Sequence, residues 1–185
     1  MMTRLCSYLF VMIMLSQQHS FTSERGGPKI ETFFKELSFT PSFPNENDLV
    51  KAYGAGSSIV KSGYRYHCYY SKSKKVWVAL RVSAEDKIES PVTGIIVTIL
   101  PLTKKVVPPD KEIPEVSVKG IYLRDKENKI KNVFGEPLRE YVSNLGENIN
   151  LKVLEYFPNN LTDGSCIRFY IKEEIVVGFS FSSEV

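Results

Sequence analysis

Few residues of this 185-residue chain belong to the types that most often carry catalysis or bind metals. Histidine occurs as His19 and His67, and cysteine as Cys6, Cys68 and Cys166. A hydrolytic triad needs a nucleophile, a base and an orienting acid, and only Cys68 beside His67 offers the first two locally. Adjacent strand residues point to opposite faces, so these two side chains cannot meet within one strand. We therefore predict a chain that is not an enzyme.

Motifs for metals and nucleotides are also missing from the sequence. No C-x2-C or H-x3-H spacing typical of zinc sites occurs, and the loop Asn159–Gly164 lacks the terminal acidic ligand of a calcium loop. That loop carries the glycosylation triplet beginning at Asn160, to which we assign no role. Gly54-Ala55-Gly56 follows a predicted helix, whereas a phosphate-binding G-x-G opens one. We expect neither a metal site nor a cofactor.

Paired carboxylates leave one catalytic alternative open, because a glycosidase needs only two of them. The local pairs are Asp125 with Glu127, at a predicted helix start, and Glu173 with Glu174, in a predicted turn. Acids are expected at helix N-termini from the macrodipole, and a turn exposes its charges. A hydrolase with carboxylates assembled across strands therefore remains an alternative function.

The overall charge excludes one class of partner. The chain has 24 basic and 21 acidic residues, a formal net charge of +3, and both signs are spread along its length. Nucleic-acid binding leaves a clustered basic face, which this distribution does not predict. With 43% hydrophobic and 24% charged residues, the composition is also that of a folded domain rather than a disordered chain or a multi-span membrane protein.

The N-terminus has the pattern of a signal peptide. Arg4 precedes an uncharged apolar run, Leu5–Leu15, which as a helix would span roughly 16 Å of a ~30 Å hydrocarbon core. A run of this length is typical of a signal sequence, although no small-x-small cleavage triplet follows it. We predict a signal peptide over residues 1–20, export to the periplasm or the medium, and no stable membrane span after its removal. An uncleaved anchor or a buried helix is the alternative.

Removal of the signal peptide leaves two cysteines. Cys68 and Cys166 would then lie in an oxidising compartment, where two thiols can persist as a disulfide. Free cysteine also packs well as a small buried hydrophobe. The sequence leaves both states open.

The sequence of the mature chain predicts an internal repeat of one unit. Asn45–Gly56 and Lys126–Pro137 match at an offset of 81 positions, and each predicts a short amphipathic helix that ends at a glycine. Asn45 and Asp125 are the predicted N-cap acceptors. Three β-branched or aromatic runs follow each helix. They are Tyr64–Tyr70, Val76–Val82 and Ile95–Leu100, then Leu151–Phe157, Cys166–Ile171 and Ile175–Phe181.

This layout predicts an α+β fold of two tandem helix-on-antiparallel-sheet repeats, with one continuous sheet or two abutting sheets. The first repeat covers residues 28–107 and the second covers residues 108–185, with Pro101–Pro114 as a linker.

The opening of the second unit carries a resemblance. Val118–Asp125 leading to Phe134-Gly135-Glu136-Pro137 is similar to the β-lactamase-inhibitor-protein-like fold and to the related small lipoprotein of the outer-membrane β-barrel assembly machinery. The first unit departs from that pattern, with Gly54-Ala55-Gly56 where a proline would stand. The resemblance implies tandem repeats whose concave sheet face grips a target protein.

Alternation along the strands places aromatic and arginine side chains on the sheet face opposite the helices. Such residues are typical of interface hot spots. We predict a non-enzymatic module that binds another exported or envelope protein, with the arginines orienting that protein through its carboxylates. The alternatives are a second layer of core and a small-ligand carrier with a cleft between the repeats. The predicted binding residues are Tyr69, Trp77, Arg81, Arg168 and Tyr170.

Overall fold

The computed structural model describes residues 45–84, 90–157 and 165–182. The predicted signal peptide, the first part of the predicted first repeat and the Asn160 triplet lie outside these residues. Among the described residues, no helix combines the length and apolar character needed to cross a membrane.

Helix α1 (Glu46–Tyr53) begins and ends where the sequence predicts. The Asn45 side chain accepts a hydrogen bond from the backbone N–H of Asp48 at 3.0 Å, which satisfies one free donor of the first turn. Leu49 and Tyr53, four residues apart, form the buried stripe of the helix. Gly54 ends it with φ +79°, a conformation that favours glycine.

Helix α2 (Glu127–Phe134) starts one residue later than the predicted cap requires. Its N-cap residue is Lys126, whose side chain makes no capping bond. The predicted acceptor, Asp125, instead accepts the backbone N–H of Tyr122 and the ammonium of Lys129, both at 2.7 Å. The prediction of an Asp125 cap was therefore wrong, because this carboxylate closes the preceding turn.

The eight strands of the described residues all belong to one antiparallel sheet. Its spatial order is β1-β2-β3-β4-β8-β7-β6-β5, so β1 and β5 are its two ends. The strands are β1 (Ser57–Lys61), β2 (Tyr64–Ser71), β3 (Val76–Ser83), β4 (Val92–Thr98), β5 (Arg139–Leu145), β6 (Asn148–Tyr156), β7 (Cys166–Lys172) and β8 (Ile175–Ser182).

The structure corrects the predicted fold class. The two tandem helix-on-antiparallel-sheet repeats are not formed; the described residues build a single eight-stranded sheet that dominates the fold, with only two short helices among them. β4 hydrogen-bonds to β8, with Ile95 opposite Phe181, so both parts of the chain build the same sheet. The prediction was wrong because it counted three strands after each helix and missed β1 and β5, which are the strands with the most exposed residues.

The helices cover one face of the sheet, which we call the helix face. Leu49 of α1 and Ile130 of α2 are fully buried there in the main core. Alternate strand residues supply much of the rest of that core, as the period-2 pattern of β3 predicts. In β8 the predicted alternation is wrong at Val177, which belongs to the apolar cluster on the opposite face. The larger strand residues of this core are Tyr69, Leu80, Ile95, Leu154, Phe169, Phe179 and Phe181.

The predicted linker, Pro101–Pro114, packs against both faces of the sheet. Ile113 is 1% exposed in the helix-face core, while Leu102 belongs to the cluster on the opposite face. The backbone N–H of Tyr70 donates to the Val107 carbonyl at 2.9 Å. A segment held in this way is part of the folded body rather than a spacer.

Candidate functional site

The face opposite the helices, which we call the cleft face, holds a smaller apolar cluster. Cys68, Ala79 and Tyr170 belong to it, together with Trp77, and all four are buried. No described helix packs here. Instead, the turn between β5 and β6 folds over the sheet and covers part of this face.

Gly178 lies directly beneath that turn. It lies opposite Thr98 of β4 and Tyr170 of β7, near the middle of the sheet. A Cβ atom at this position would lie 2.9 Å from Cδ2 of Leu145. The absence of a side chain at this position lets Leu145 pack closely on the central strands. The turn at the β5 end of the sheet thus reaches the strands at its centre.

The β5–β6 turn forms one lip of a cleft on this face. The second lip comes from the opposite end of the sheet. The β1–β2 hairpin turns through Ser62 and Gly63, both with positive φ, and brings Ile59 and Lys61 to the cleft face. Residues from both ends of the sheet therefore line the same space, which means that the sheet is strongly curled. Sheets twist and coil in this way because each strand has a right-handed twist.

The result is a cleft of about 390 Å³. Its floor follows the sheet register Cys68–Ala79–Ile96, where two small side chains leave room between larger neighbours. Apolar atoms line most of it, and polar side chains gather at its mouth. The lining residues are Ile59, Lys61, Ser62, Tyr66, Cys68, Ala79, Ile96, Leu102, Asn144, Leu145, Gly146, Glu147 and Tyr170.

The thiol in the cleft is not a nucleophile at neutral pH. Burial raises the pKa of Cys68 to about 12, so the group stays protonated. A thiolate is the reactive form of cysteine. Cys68 therefore contributes to the cleft as a small apolar surface.

Tyr66 places a phenol side chain in the lining of the cleft, at the edge of its floor. Burial raises its pKa, and this outweighs the nearby guanidinium of Arg81, which acts in the opposite direction. The hydroxyl is neutral at physiological pH and can donate or accept one hydrogen bond. It gives the apolar cleft a polar group for orienting a ligand.

Four of the five predicted binding residues share the cleft face, but they are not an exposed surface. Trp77 is 4% exposed and Tyr170 is 8% exposed. Tyr69 lies on the helix face, fully buried, and its hydroxyl donates to the Gly54 carbonyl at 2.8 Å. Tyr69 is therefore a core residue. It directly follows Cys68 in β2, and successive side chains of a strand point to opposite faces, so Tyr69 points away from the cleft. Only Tyr170 of the five lines the cleft.

The two predicted arginines are engaged within the chain. Nε of Arg81 donates to Oγ1 of Thr93 at 3.1 Å, and its guanidinium lies 4.2 Å from the centre of the Tyr64 ring. Nε of Arg168 donates to Glu155 at 2.6 Å. These contacts position the arginines as parts of the sheet surface beside the cleft.

Glu155 is a buried acid that the sequence analysis missed. It is 2% exposed, and besides Arg168 it accepts the Tyr141 hydroxyl at 3.1 Å. Nη1 of Arg139 approaches its other oxygen at 3.5 Å. The signal was present in the sequence, because Glu155 is the one acid in the otherwise apolar second half of the run Leu151–Phe157.

Among the described residues, Glu155 is the only fully buried acid, and it lies on the cleft face. The carboxylates of Glu127 and Glu140 approach the same ammonium, that of Lys152, at 2.7 Å and 3.2 Å. The predicted pair Asp125 and Glu127 is divided between two lysines, with Asp125 bonded to Lys129 and Glu127 to Lys152. Within the described ranges, no group of three His, Cys, Asp or Glu side chains is arranged to hold a metal ion.

The two cysteines remain free thiols in this structure. Cys68 is in β2 and Cys166 is in β7, and the strands β3, β4 and β8 lie between them. A disulfide needs Cα atoms within about 7 Å. In this structure both thiols are free, and three strands separate the two strands that carry them.

His67 ties α1 to the sheet on the helix face. Its Nε2 lies 2.8 Å from Oε1 of Glu46, and its Nδ1 lies 2.8 Å from the Ala55 carbonyl oxygen. Arg65 donates to the same Glu46 oxygen at 2.8 Å. Cys68 faces the other way, so the adjacent pair is divided between the faces as expected. This cluster is structural and lies apart from the cleft.

We expect Glu46→Gln to weaken the fold at neutral pH and to flatten its acid dependence. Burial alone would raise the pKa of Glu46, but hydrogen bonds from Arg65 and His67 outweigh it and hold the pKa below the usual value of about 4.3. A lowered folded-state pKa stabilises the protein above the unfolded value, and that contribution disappears as the pH falls through the folded value.

Urea unfolding at a series of pH values checks this expectation. Glu46→Gln should lose about 2 kcal/mol at pH 7, the range for hydrogen bonds to charged groups, and should differ less from wild type in acid. Glu136→Gln is the matched control, because that acid is exposed and pairs with Lys131 at only 3.4 Å. Parallel pH profiles for wild type and Glu46→Gln would contradict the assignment.

Comparisons with known proteins give a distant structural likeness. No protein-family model matches the sequence, and no curated protein matches it. The chain is similar to the crystal structure of a DUF4309 family protein, YjgB, from Bacillus subtilis subsp. subtilis str. 168, at 10% sequence identity and a TM-score of 0.49. The match covers 84% of this chain and 93% of that one. None of these comparisons shows the β-lactamase-inhibitor-protein-like fold that the sequence resembles.

Proposed function

We propose that this chain is an exported binding protein, with no catalysis of its own, that holds a small apolar ligand in the cleft. The observation that carries the proposal is the cleft itself, about 390 Å³ in volume, with an apolar floor and polar groups at its mouth. Ligand pockets span about 300–1,000 Å³ and combine an apolar lining with a few polar groups. Export rests on the apolar run Leu5–Leu15.

The arrangement of the lips supports binding rather than a purely structural hollow. Hairpins from both ends of the sheet converge on one space, and Leu145 packs closely against Gly178 on the central strands. The floor at Ala79 is only 1% exposed, so a ligand seated there would be shielded from water on several sides. Burial of apolar area contributes roughly 25 cal/mol per Å² to such binding.

The absence of catalysis is proposed on the chemistry of the lining. The thiol of Cys68 is protonated because burial raises its pKa to about 12. Glu155, the buried acid of this face, is already bound by Arg168 and Tyr141. Neither group is poised to act as a nucleophile or a base.

We expect the neutral fluorophore N-phenyl-1-naphthylamine to bind, and Ile59→Ala to weaken its binding about fivefold. Ile59 is half-buried in one lip, and the removed methylenes are worth roughly 0.8 kcal/mol each when fully buried. The chain has a single tryptophan, Trp77, two positions from Ala79 along β3. Energy transfer from Trp77 to the bound probe reports the titration.

Val60→Ala is the matched control for this experiment. Val60 is the next residue of β1, has the same shape class, and is 64% exposed on the other side of the strand. Its replacement should leave the affinity unchanged. The proposal fails if the probe does not bind saturably, or if the two variants lose affinity equally.

A second candidate function is docking of another exported or envelope protein, the partner that the resemblance to inhibitor-like proteins suggests. The observation that favours it is a group of exposed apolar side chains around β5, at the end of the sheet: Leu138 and Val142, with Ile149 on β6, are each about two-thirds exposed. End strands can pair with an added strand. Cross-linking in the exported fraction tests this candidate, and links that avoid β5 would count against it.

A further inference from the structure

The charges at the mouth of the cleft are not evenly compensated. Glu147 stands on the lip formed by the β5–β6 turn, and its carboxylate lies 3.8 Å from the ammonium of Lys104. Lys61 stands on the opposite lip. Within the described part of the chain, the Lys61 ammonium forms neither an ion pair nor a hydrogen bond.

Among the described residues, the mouth therefore has one lip whose carboxylate is paired with a lysine and one lip whose lysine ammonium is not paired. Behind Lys61 the lining turns apolar, through Ile59 on the same strand and then Ala79 and Ile96 on the floor. A ligand that matches this order of surfaces has an apolar body and an acidic group at one end. A neutral ligand would leave Lys61 unused, and a cationic one would meet repulsion from it.

From this we infer that the cleft takes an amphipathic anion, with its apolar body against Ala79 and Ile96 and its acid group beside Lys61. This inference rests on the proposed function and adds the chemical class of the ligand. The hydroxyl of Tyr66 and the side-chain amide of Asn144, both in the lining, are the neutral groups that can complete the hydrogen bonding of the acid.

The expected preference is modest because Lys61 is exposed to solvent. Ion pairs at exposed sites contribute little and are screened by salt, so a three- to fivefold preference for the anion is expected. Adding salt should reduce the preference toward none. The apolar part of the binding should change little under the same conditions.

Three naphthalene probes of similar size test the inference with the full-length mature chain. They are 1-anilinonaphthalene-8-sulfonate, an anion; N-phenyl-1-naphthylamine, which is neutral; and N-(1-naphthyl)ethylenediamine, a cation. Wild type should bind the anion most tightly. Lys61→Gln should weaken the anion about three- to fivefold and leave the neutral probe unchanged. Lys72→Gln, an exposed lysine in the β2–β3 turn, is the matched control and should change neither affinity.

The outcomes distinguish a failure of the inferred ligand class from a failure of the proposed binding function. If the neutral probe binds and responds to Ile59→Ala, but Lys61→Gln leaves the anion unchanged or the cation binds best, the ligand class is overturned and the binding function stands. If no probe binds saturably, both fail. An anion that binds equally to wild type and Ile59→Ala is not seated in the cleft and also overturns the inference.

Discussion

Phe169→Ala should lower the free energy of unfolding by about 4 kcal/mol, the largest effect that we expect from a single substitution here. Phe169 is fully buried at the centre of β7. Its ring centre lies 5.5 Å from that of Phe134, 6.0 Å from that of Tyr156 and 6.4 Å from that of Phe179. Removal of the ring leaves a cavity between α2 and three strands, and close-packed aromatic neighbours cannot collapse into it fully.

Urea unfolding followed by Trp77 fluorescence measures this effect. Val142→Ala is the control, because Val142 is 65% exposed on β5 and its truncation should change the stability by no more than about 0.5 kcal/mol. If Phe169→Ala instead fails to fold, Phe169→Leu keeps the test available with a smaller expected loss. A Phe169→Ala loss below about 1 kcal/mol would show that this side of the core is not packed as described.

Arg168→Met should lower the free energy of unfolding by about 3 kcal/mol. Its Nε donates to Glu155 at 2.6 Å, and the Glu155 carboxylate is only 2% exposed. Methionine is similar in length but carries no charge, so the substitution leaves a buried carboxylate without its closest cation. The Tyr141 hydroxyl, at 3.1 Å, and the exposed Arg139 compensate only in part.

A double variant separates the loss of the ion pair from the loss of packing. Arg168→Met combined with Glu155→Leu removes both charges and should recover much of the stability, since an apolar replacement of a whole buried pair is often neutral. The coupling between the two substitutions should then exceed about 1 kcal/mol. Additive losses in this cycle would mean that Arg168 and Glu155 do not act as a pair.

Much of the local structure could be predicted from residue types alone. The six central strands, β2, β3, β4, β6, β7 and β8, have continuous β-branched or aromatic runs, and the sequence analysis placed all six. Both helices were placed from their apolar spacing and their final glycines, at Gly54 and Gly135. These features depend on neighbours within a few residues, so the local pattern is enough to specify them.

The end strands β1 and β5 could not be found in this way. Ser58 and Lys61 in β1, and Arg139 and Glu140 in β5, are exposed, so neither strand has the alternating apolar face that marks the central ones. These segments become strands because a formed neighbour, β2 or β6, offers its free backbone groups. Their omission is also why the sequence analysis counted three strands, rather than four, after each helix.

The candidate site was predicted only in part. Period-2 alternation correctly grouped Trp77 and Arg81, and Arg168 with Tyr170, on the face away from the helices, but it could not reveal that Trp77 and Tyr170 are buried. Their burial follows from packing between distant residues: Leu102 and Leu145 join the same cluster. Three small residues help to form the cleft: Cys68, Ala79 and Gly178. Their contribution depends on which strands lie next to each other, so it cannot be seen in the pattern of a single strand.

The sequence by itself determined which segments of this protein become helices or central strands, because that property follows from spacing along one element. The tertiary structure alone decided the strand order, which separates Cys68 from Cys166 by three strands and joins β4 to β8. It also decided the curl that brings Lys61 and Glu147 to one cleft. Strand order and curl depend on contacts between residues far apart in the chain. The energy of such contacts cannot be predicted from a local sequence pattern.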